Sequence, residues 1–313
     1  MPKVNEVHQN AALSNVSIGY KPTGFVAEEV LPVLNVKKES DKYYIWDKDM
    51  GLRYQDSQRA DGAKSKTISF KVSTGTYSCE EYALKVRITD RERANADDVL
   101  QLETSKTERV TGAVRLGQEV RVATLLTTAA NYPSSNKTQL SGTSQWSSSS
   151  LATGAIESDI DTGKEAVRKG TGGFDPTHII VPAAVSKIVK RNASIRELIK
   201  YTQNNLLVNG DLPPTMFNMV VVIPKTVYTV SVEGNATQTY TDVWGKHCVL
   251  VYNPGSGAAI DTPSFGYIFR AKNWEVMDWY DPEYKSTFIE VSVIQDEVIT
   301  SNVSGYLIED AIA

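Results

Sequence analysis

The chain holds little of what most enzyme chemistry requires. Its 313 residues include two cysteines, Cys79 and Cys248, and three histidines, His8, His178 and His247. Two cysteines make no disulfide framework and point to folding in a reducing cytoplasm. No histidine lies at metal-ligand spacing from another His or Cys. There is no Gly-x-Ser-x-Gly elbow. The cluster Gly170, Thr171, Gly172, Gly173 lacks the Gly-Lys-Ser/Thr ending of a phosphate loop and runs into Phe174, Asp175 and Pro176, so it reads as a turn. No apolar run approaches the roughly 18–20 residues that span a bilayer. The start, Met1, Pro2, Lys3, Val4, has no apolar signal core. A net charge of −4 excludes bulk attraction to nucleic acid or to anionic membrane.

The residues that could carry chemistry have plainer explanations. Asp159 and Asp161 are two apart, a spacing that does not face one site on a helix. His247 precedes Cys248 in a strand-like run, where adjacent side chains point to opposite faces. Lys187, Lys190 and Arg191 share a helix face, followed by Arg196 and Lys200. Without interleaved aromatics, this cluster reads as a solvated face or a subunit contact to an acidic neighbour, rather than a nucleic-acid site. The expectation is a structural protein with no catalytic role, cofactor or metal; the remaining enzyme alternative would use an α/β unit over residues 156–255.

What is present is architectural. Strand-like runs at 42–46 and 67–72 flank residues 47–66, which carry both charge signs and almost nothing apolar to bury. A loop of that length is uncommon inside a compact domain, and a two-stranded excursion does not stabilise itself in water. A neighbouring subunit is the natural support. The expected contact residues are Lys48, Asp49, Arg53, Asp56, Arg59, Asp61, Lys64 and Lys66. Before the loop, Pro2, Pro22 and Pro32 forbid a continuous helix, so residues 1–41 read as an extended arm pinned at intervals, or as an N-terminal strand.

After the loop, Tyr82, Leu84, Val86 and Ile88 alternate with charged residues over a strand from 77 to 89. Asn95 reads as the N-cap of a long helix ending near 130, with Asn131, Tyr132 and Pro133 as its stop. Its apolar face is expected at Ala113, Leu116, Val120 and Ala123, with Val110, Val114 and Gly117 beside it. Residues 133–153 are serine- and threonine-rich and read as an exposed loop. Residues 156–255 alternate apolar strands with helices, implying a sheet covered on both faces. Residues 274–313 hold nine carboxylates and one lysine, and this acidic strand group matches the character of 77–89. The two segments are expected to share one sheet, with the α/β unit inserted between them.

This order resembles the major capsid protein of tailed double-stranded DNA phages. The resemblance is carried by Ile18, Gly19 and Tyr20 through Pro32 and Val33; by Lys42, Tyr43, Tyr44, Ile45 and Trp46; by the run from Tyr77 to Leu84 leading into Asp90, Arg91, Glu92 and Arg93; and by Ser304, Gly305, Tyr306, Leu307 and Ile308. It implies an α+β chain with the Johnson, or Hong Kong 97-type, fold. The implied parts are an N-terminal arm (1–41), an extended β-hairpin loop (42–73) and a peripheral domain (74–132) whose spine helix covers 95–130. An inserted axial α/β domain (133–265) and peripheral return strands (266–313) follow.

The resemblance further implies self-assembly through hexamers and pentamers into an icosahedral head around double-stranded DNA, held without sequence-specific contact. Implied partners are the chain itself, a separate scaffolding protein, a portal and a decoration protein, with no membrane. The implied setting is the virion, assembled in the host bacterial cytoplasm. The family's occasional Lys–Asn cross-link is not assigned to Lys48, Lys64 or Lys66. An encapsulin-like cargo compartment is the alternative shell.

Overall fold

The structure is a computed structural model; it describes residues 8–9, 11–20, 24–46, 52, 54, 56–62, 64–68, 72–96, 99–199, 210–232, 234–235, 237–255 and 264–313. In chain order the elements begin with β1 (His8–Gln9), α1 (Ala11–Gly19), α2 (Ala27–Val30), β2 (Val33–Asn35) and β3 (Ser40–Trp46). Next come β4 (Val72–Ser78), β5 (Glu80–Thr89), α3 (Asp90–Asn95) and the long α4 (Val99–Thr127). The middle holds β6 (Lys137–Gln139), α5 (Ala155–Thr171), β7 (His178–Ile180), α6 (Ala183–Val189), α7 (Ala193–Ile199), β8 (Thr215–Met216), β9 (Met219–Val222), β10 (Val227–Thr229), β11 (Tyr240–Asp242) and β12 (Cys248–Val251). The chain closes with β13 (Gly266–Asp281), β14 (Ser286–Ile299) and β15 (Gly305–Glu309).

Two larger sheets organise these elements. In the first, β13 and β14 form a long antiparallel hairpin and β5 pairs with β14 from Thr89↔Ser286 to Glu80↔Gln295. β1 and β2 both pair with β13, the first antiparallel and the second parallel. The second sheet is mixed and ordered β6-β15-β12-β7-β9-β8. Its central strands are apolar on both faces because both are covered. Cys248, Leu250, Tyr306, Ile308 and Ile179 point into the core under α5, α6 and α7. The alternate residues Val249, Val251, Leu307 and Ile180 point into a second core.

That second core receives the C-terminal half of α4 through Val122, Ala123 and Leu126. The N-terminal half of α4 packs Val110 and Val114 on the first sheet with Ile88, Trp274, Val276 and Val291. One helix therefore ties both sheets together; its 29 residues make it about 43 Å long.

Several expectations from sequence are corrected. The long helix is Val99–Thr127, not 95–130, because Asn95 ends the short helix α3. That helix is started by a capping box in which Thr89 Oγ1 accepts from Glu92 N and the Glu92 carboxylate accepts from Thr89 N. Of the expected face Ala123 is buried, with Val110 and Val114 beside it, while Leu116 and Val120 are half-buried and Ala113 is exposed; the buried stripe of α4 also takes in the polar Thr107, Thr111, Arg115, Gln118 and Glu119 and the apolar Val122. Residues 11–19 are helical rather than extended, since all three prolines lie outside them.

Two chain-order assignments also change. The serine-rich stretch is not a plain exposed loop: β6 adds in parallel to β15, and Trp146 is buried with its indole donating to Asp159 Oδ2 at 2.8 Å. The return strands 266–313 do not stay together, because β15 leaves the first sheet and pairs with β12 in the second. An isolated apolar strand such as Tyr306, Leu307, Ile308 gains most where both faces are covered, and the second sheet offers that.

Candidate assembly surfaces

β3 and β4 form an antiparallel hairpin from Ser40↔Ser78 to Trp46↔Val72. The returning strand is thus 72–78, not 67–72. The described residues 64–68 carry no regular structure, and 69–71 lie outside the described residues. Among the described residues the aromatic anchoring of the hairpin lies at its root. Tyr77 stacks on Phe269 at 4.5 Å and Tyr43 at 5.7 Å, in a cluster with Tyr267 and Cys79. Tyr43 also lies across Gly75, where a Cβ would come within 2.3 Å of its ring, so no side chain fits there. Beyond the root the apolar content is exposed, as at Tyr44 and Ile45.

The described residues of the loop between 52 and 68 are all exposed. Lys66 Nζ donates to the Asp56 carbonyl at 2.7 Å and lies 3.6 Å from its carboxylate. Arg59 donates to Ser65 Oγ at 3.4 Å. These internal bonds shape the loop without joining it to the body. Asp61 and Lys64 stand exposed; Lys48, Asp49 and Arg53 lie outside the described residues. One contact with the α/β unit sequence reasoning missed: Leu52 seats on Gly172, the left-handed cap of α5. A Cβ there would fall 2.5 Å from Leu52 Cδ1.

The arm is held by a buried polar junction on α4. Glu119 accepts from Val26 N, Ala27 N and the Trp244 indole. Glu28 pairs with Arg270 at 2.7 Å and Arg115 at 3.6 Å. The Arg115 guanidinium lies 4.5 Å from the Trp274 ring, and burial pushes its pKa down against the pull of Glu28. On the other side of α4, Arg121 makes a bidentate pair with Glu297, tying the helix to β14.

Two surfaces of the α/β unit are unlike the rest. On α6 and α7 and the turn between them, Lys187, Arg191 and Arg196 are exposed, while Lys190 Nζ is drawn to the Gly210 carbonyl at 2.7 Å. Lys200 lies outside the described residues. The β10–β11 hairpin forms a two-stranded sheet of its own, paired with neither larger sheet. Elsewhere, an open cleft of about 570 Å³ lies between β5 and α4, lined by Leu84, Val86, Leu102 and Val110 with Lys85 and Arg109 at its rim.

The groups with chemical potential are spent on structure. Cys248 is fully buried and its thiol is pushed up by burial. His247 Nδ1 accepts from Asp310 N at 3.2 Å. Asp159 is pushed up by burial, with the Trp146 indole opposing. Among the described residues no group of three or more His, Cys, Asp or Glu is placed to hold a metal ion, and no helix is long and apolar enough to cross a membrane.

His178, at the start of β7, is held below the ordinary imidazole range by burial, with Glu29 opposing. A lowered histidine takes up its proton later in the folded chain than in the unfolded one. Stability from this site is therefore full above about pH 7 and declines as pH falls through about 6.5 toward the folded value. Melting temperatures between about pH 7.5 and pH 5 should fall less steeply in His178→Gln than in the wild type. Equal slopes would show that His178 titrates alike in both states.

Residues 74–276 match the phage capsid protein family, and the match covers more than half of the chain. The chain belongs to the phage capsid protein family. It is 28% identical over 302 residues to the major capsid protein of Burkholderia phage BcepMu, covering 95% of this chain and 94% of that one. It is 22% identical over 312 residues to the major capsid protein of Pseudomonas phage JBD67, covering 96% of each. Among solved structures it is similar to a phage-related protein from Bordetella bronchiseptica RB50, with a TM-score of 0.73, 23% identity and 97% of each chain covered. It is also similar to the capsid of the cyanophage P-SCSP1u, with a TM-score of 0.61, 10% identity, and 88% of this chain and 84% of that one covered. The fold is the α+β Hong Kong 97-type capsid fold.

Proposed function

We propose that this chain is the shell subunit of a tailed-phage head, closing through hexamers and pentamers around double-stranded DNA. The observation that carries this is a similarity to a phage major capsid protein that runs almost end to end in both chains. In this reading residues 1–41 are the arm, 42–73 the extended loop and 95–130, observed as Val99–Thr127, the spine helix. The first sheet forms the peripheral domain, and the second sheet with α5, α6 and α7 forms the axial domain. The exposed loop, with Asp56, Arg59, Asp61, Lys64 and Lys66, reaches a neighbouring copy, and Lys48, Asp49 and Arg53 belong to the same contact.

The physics supports this. A shell closes from one repeated heterologous contact with small angular adjustments. Each contact can be weak because each copy makes many. A wall with net charge −4 does not grip DNA strongly, since phosphate binding scales with cationic neutralisation. Scaffolding, portal and decoration proteins are the further partners, the virion is the final location and the host cytoplasm the place of assembly. No catalytic step is assigned to the chain.

Electron microscopy of the purified protein and of infected-cell lysate tests the reading. The expected result is shells, DNA-filled when made in an infection, and no gel shift of free DNA by the purified protein at low salt. Small uniform shells loaded with host protein would favour a cargo compartment. Small soluble oligomers alone would overturn the shell reading.

A further inference from the structure

Residues 227–242 leave the body as a hairpin with Val227↔Asp242, Tyr228↔Thr241 and Thr229↔Tyr240 in register. Among the described residues it is tied down at its base, where Val243 N donates to the Thr226 carbonyl and Thr226 Oγ1 to the Gly24 carbonyl. Four large apolar side chains on it face solvent: Val227, Val230 at 53%, Val232 at 75% and Tyr240 at 67%. A lone two-stranded hairpin is marginal in water, and an exposed β-branched edge invites another chain.

Charge selects the partner. From 227 to 242 the sequence has two charges, Glu233 and Asp242, both acidic. Two such hairpins would repel one another, so a two-fold pairing of hairpin on hairpin is disfavoured. The same chain carries a net basic surface on α6 and α7: exposed Lys187, Arg191 and Arg196 against one exposed acid, Glu197, with Leu198 at 56% exposure next in sequence. A surface and its complement on different parts of one chain generate a head-to-tail contact, which forms a ring where the rotation between copies closes.

We propose that the 227–242 hairpin of one copy docks on α6 and α7 of the next copy in a ring. Its apolar side chains cover Leu198, and the exposed Asp242 faces Lys187, Arg191 and Arg196. This inference rests on the shell-subunit reading and adds a second copy-to-copy contact, separate from the extended loop. It also accounts for a basic helix face on an acidic chain without invoking nucleic acid.

The test uses the full chain with a photo-crosslinking benzophenone amino acid at Val232, assembled with isotopically heavy wild-type copies and irradiated as shells. Mass spectrometry is expected to find residue 232 joined to residues 183–199 of a different copy. In parallel, Lys187→Glu with Arg191→Glu should lower shell yield about tenfold, and more so at low salt. Adding Glu233→Lys and Asp242→Lys to the same chain should restore it. Cross-links within one copy, to another segment or to another protein would overturn the proposal, as would a charge swap that deepens the defect. If the double reversal lowers the melting temperature, the cross-link, which leaves the helices unaltered, decides alone. If the wild type forms no shells, the shell reading itself falls and this contact with it.

Discussion

Deleting residues 49–64 should leave a folded, soluble protein that forms no shells. The folded part of the hairpin is its root, where Tyr43, Tyr77, Tyr267 and Phe269 pack together and Gly75 accommodates the Tyr43 ring. None of these residues lies in the deleted stretch. The described residues from 52 to 68 are exposed and bond mainly to one another, as Lys66 does to Asp56. Leu52 on Gly172 is the contact with the α/β unit that the deletion removes, and Leu52 is itself more than half exposed. The melting temperature should therefore stay within a few degrees of wild type, as loop-tip changes usually allow.

Assembly should fail outright, because a contact repeated at every copy is removed everywhere at once. Sedimentation and electron microscopy read the outcome. Wild-type shells from the deletion would show that the loop is decoration. A chain that no longer folds would show that the loop is part of the core.

Strand character was the most legible feature of this sequence. Alternating runs such as Val249 and Val251 against Cys248 and Leu250 announce a two-sided apolar sheet, and the structure buries both sets. The long helix was legible as a helix but not in its ends or its face. The signal for its lead-in was present: Thr89 and Glu92 have capping-box spacing, ahead of the misleading Asn95.

The face of that helix was hidden for a physical reason. Thr111, Arg115 and Glu119 are buried against polar partners from neighbouring segments, as where Thr111 Oγ1 donates to Ser17 Oγ at 2.9 Å; Thr107 Oγ1 donates back to the Glu103 carbonyl of its own helix, and Gln118 Nε2 is buried without a hydrogen-bond partner among the described residues. Hydrophobic periodicity cannot show a polar buried stripe. A lone tryptophan among serines, Trp146, was the one clue that 133–153 is anchored. The loop at 47–66 was legible through its poverty of apolar residues. The 227–242 hairpin was not, because Val227, Tyr228, Val230 and Val232 look the same in sequence whether buried or exposed.

Glu119→Ala should cost about 3–5 kcal/mol, among the largest losses from any single substitution in the chain. Glu119 is 1% exposed and its carboxylate is shared by three donors from two distant segments. Val26 N and Ala27 N reach it at 3.1 and 2.9 Å from the arm, and the Trp244 indole at 2.7 Å from the turn before β12. All three donor residues are buried. Removing the carboxylate strands three N–H groups away from water, at about 1–3 kcal/mol each, less whatever relaxation returns.

Glu119→Gln keeps the shape but replaces one acceptor oxygen with an amide nitrogen, which turns a donor toward a donor. Its loss should be smaller than that of Glu119→Ala, since one acceptor oxygen remains. The defect should also be local before it is global. Hydrogen exchange at residues 24–31 should accelerate first, because Glu119 holds the arm against α4 while the sheets keep their own cores. Urea unfolding of the unassembled protein gives the ranking of Glu119→Ala and Glu119→Gln directly. If Glu119→Ala unfolds at the wild-type midpoint with the arm still protected, the arm is held by Val30 and Leu31 packing alone, and the carboxylate is dispensable.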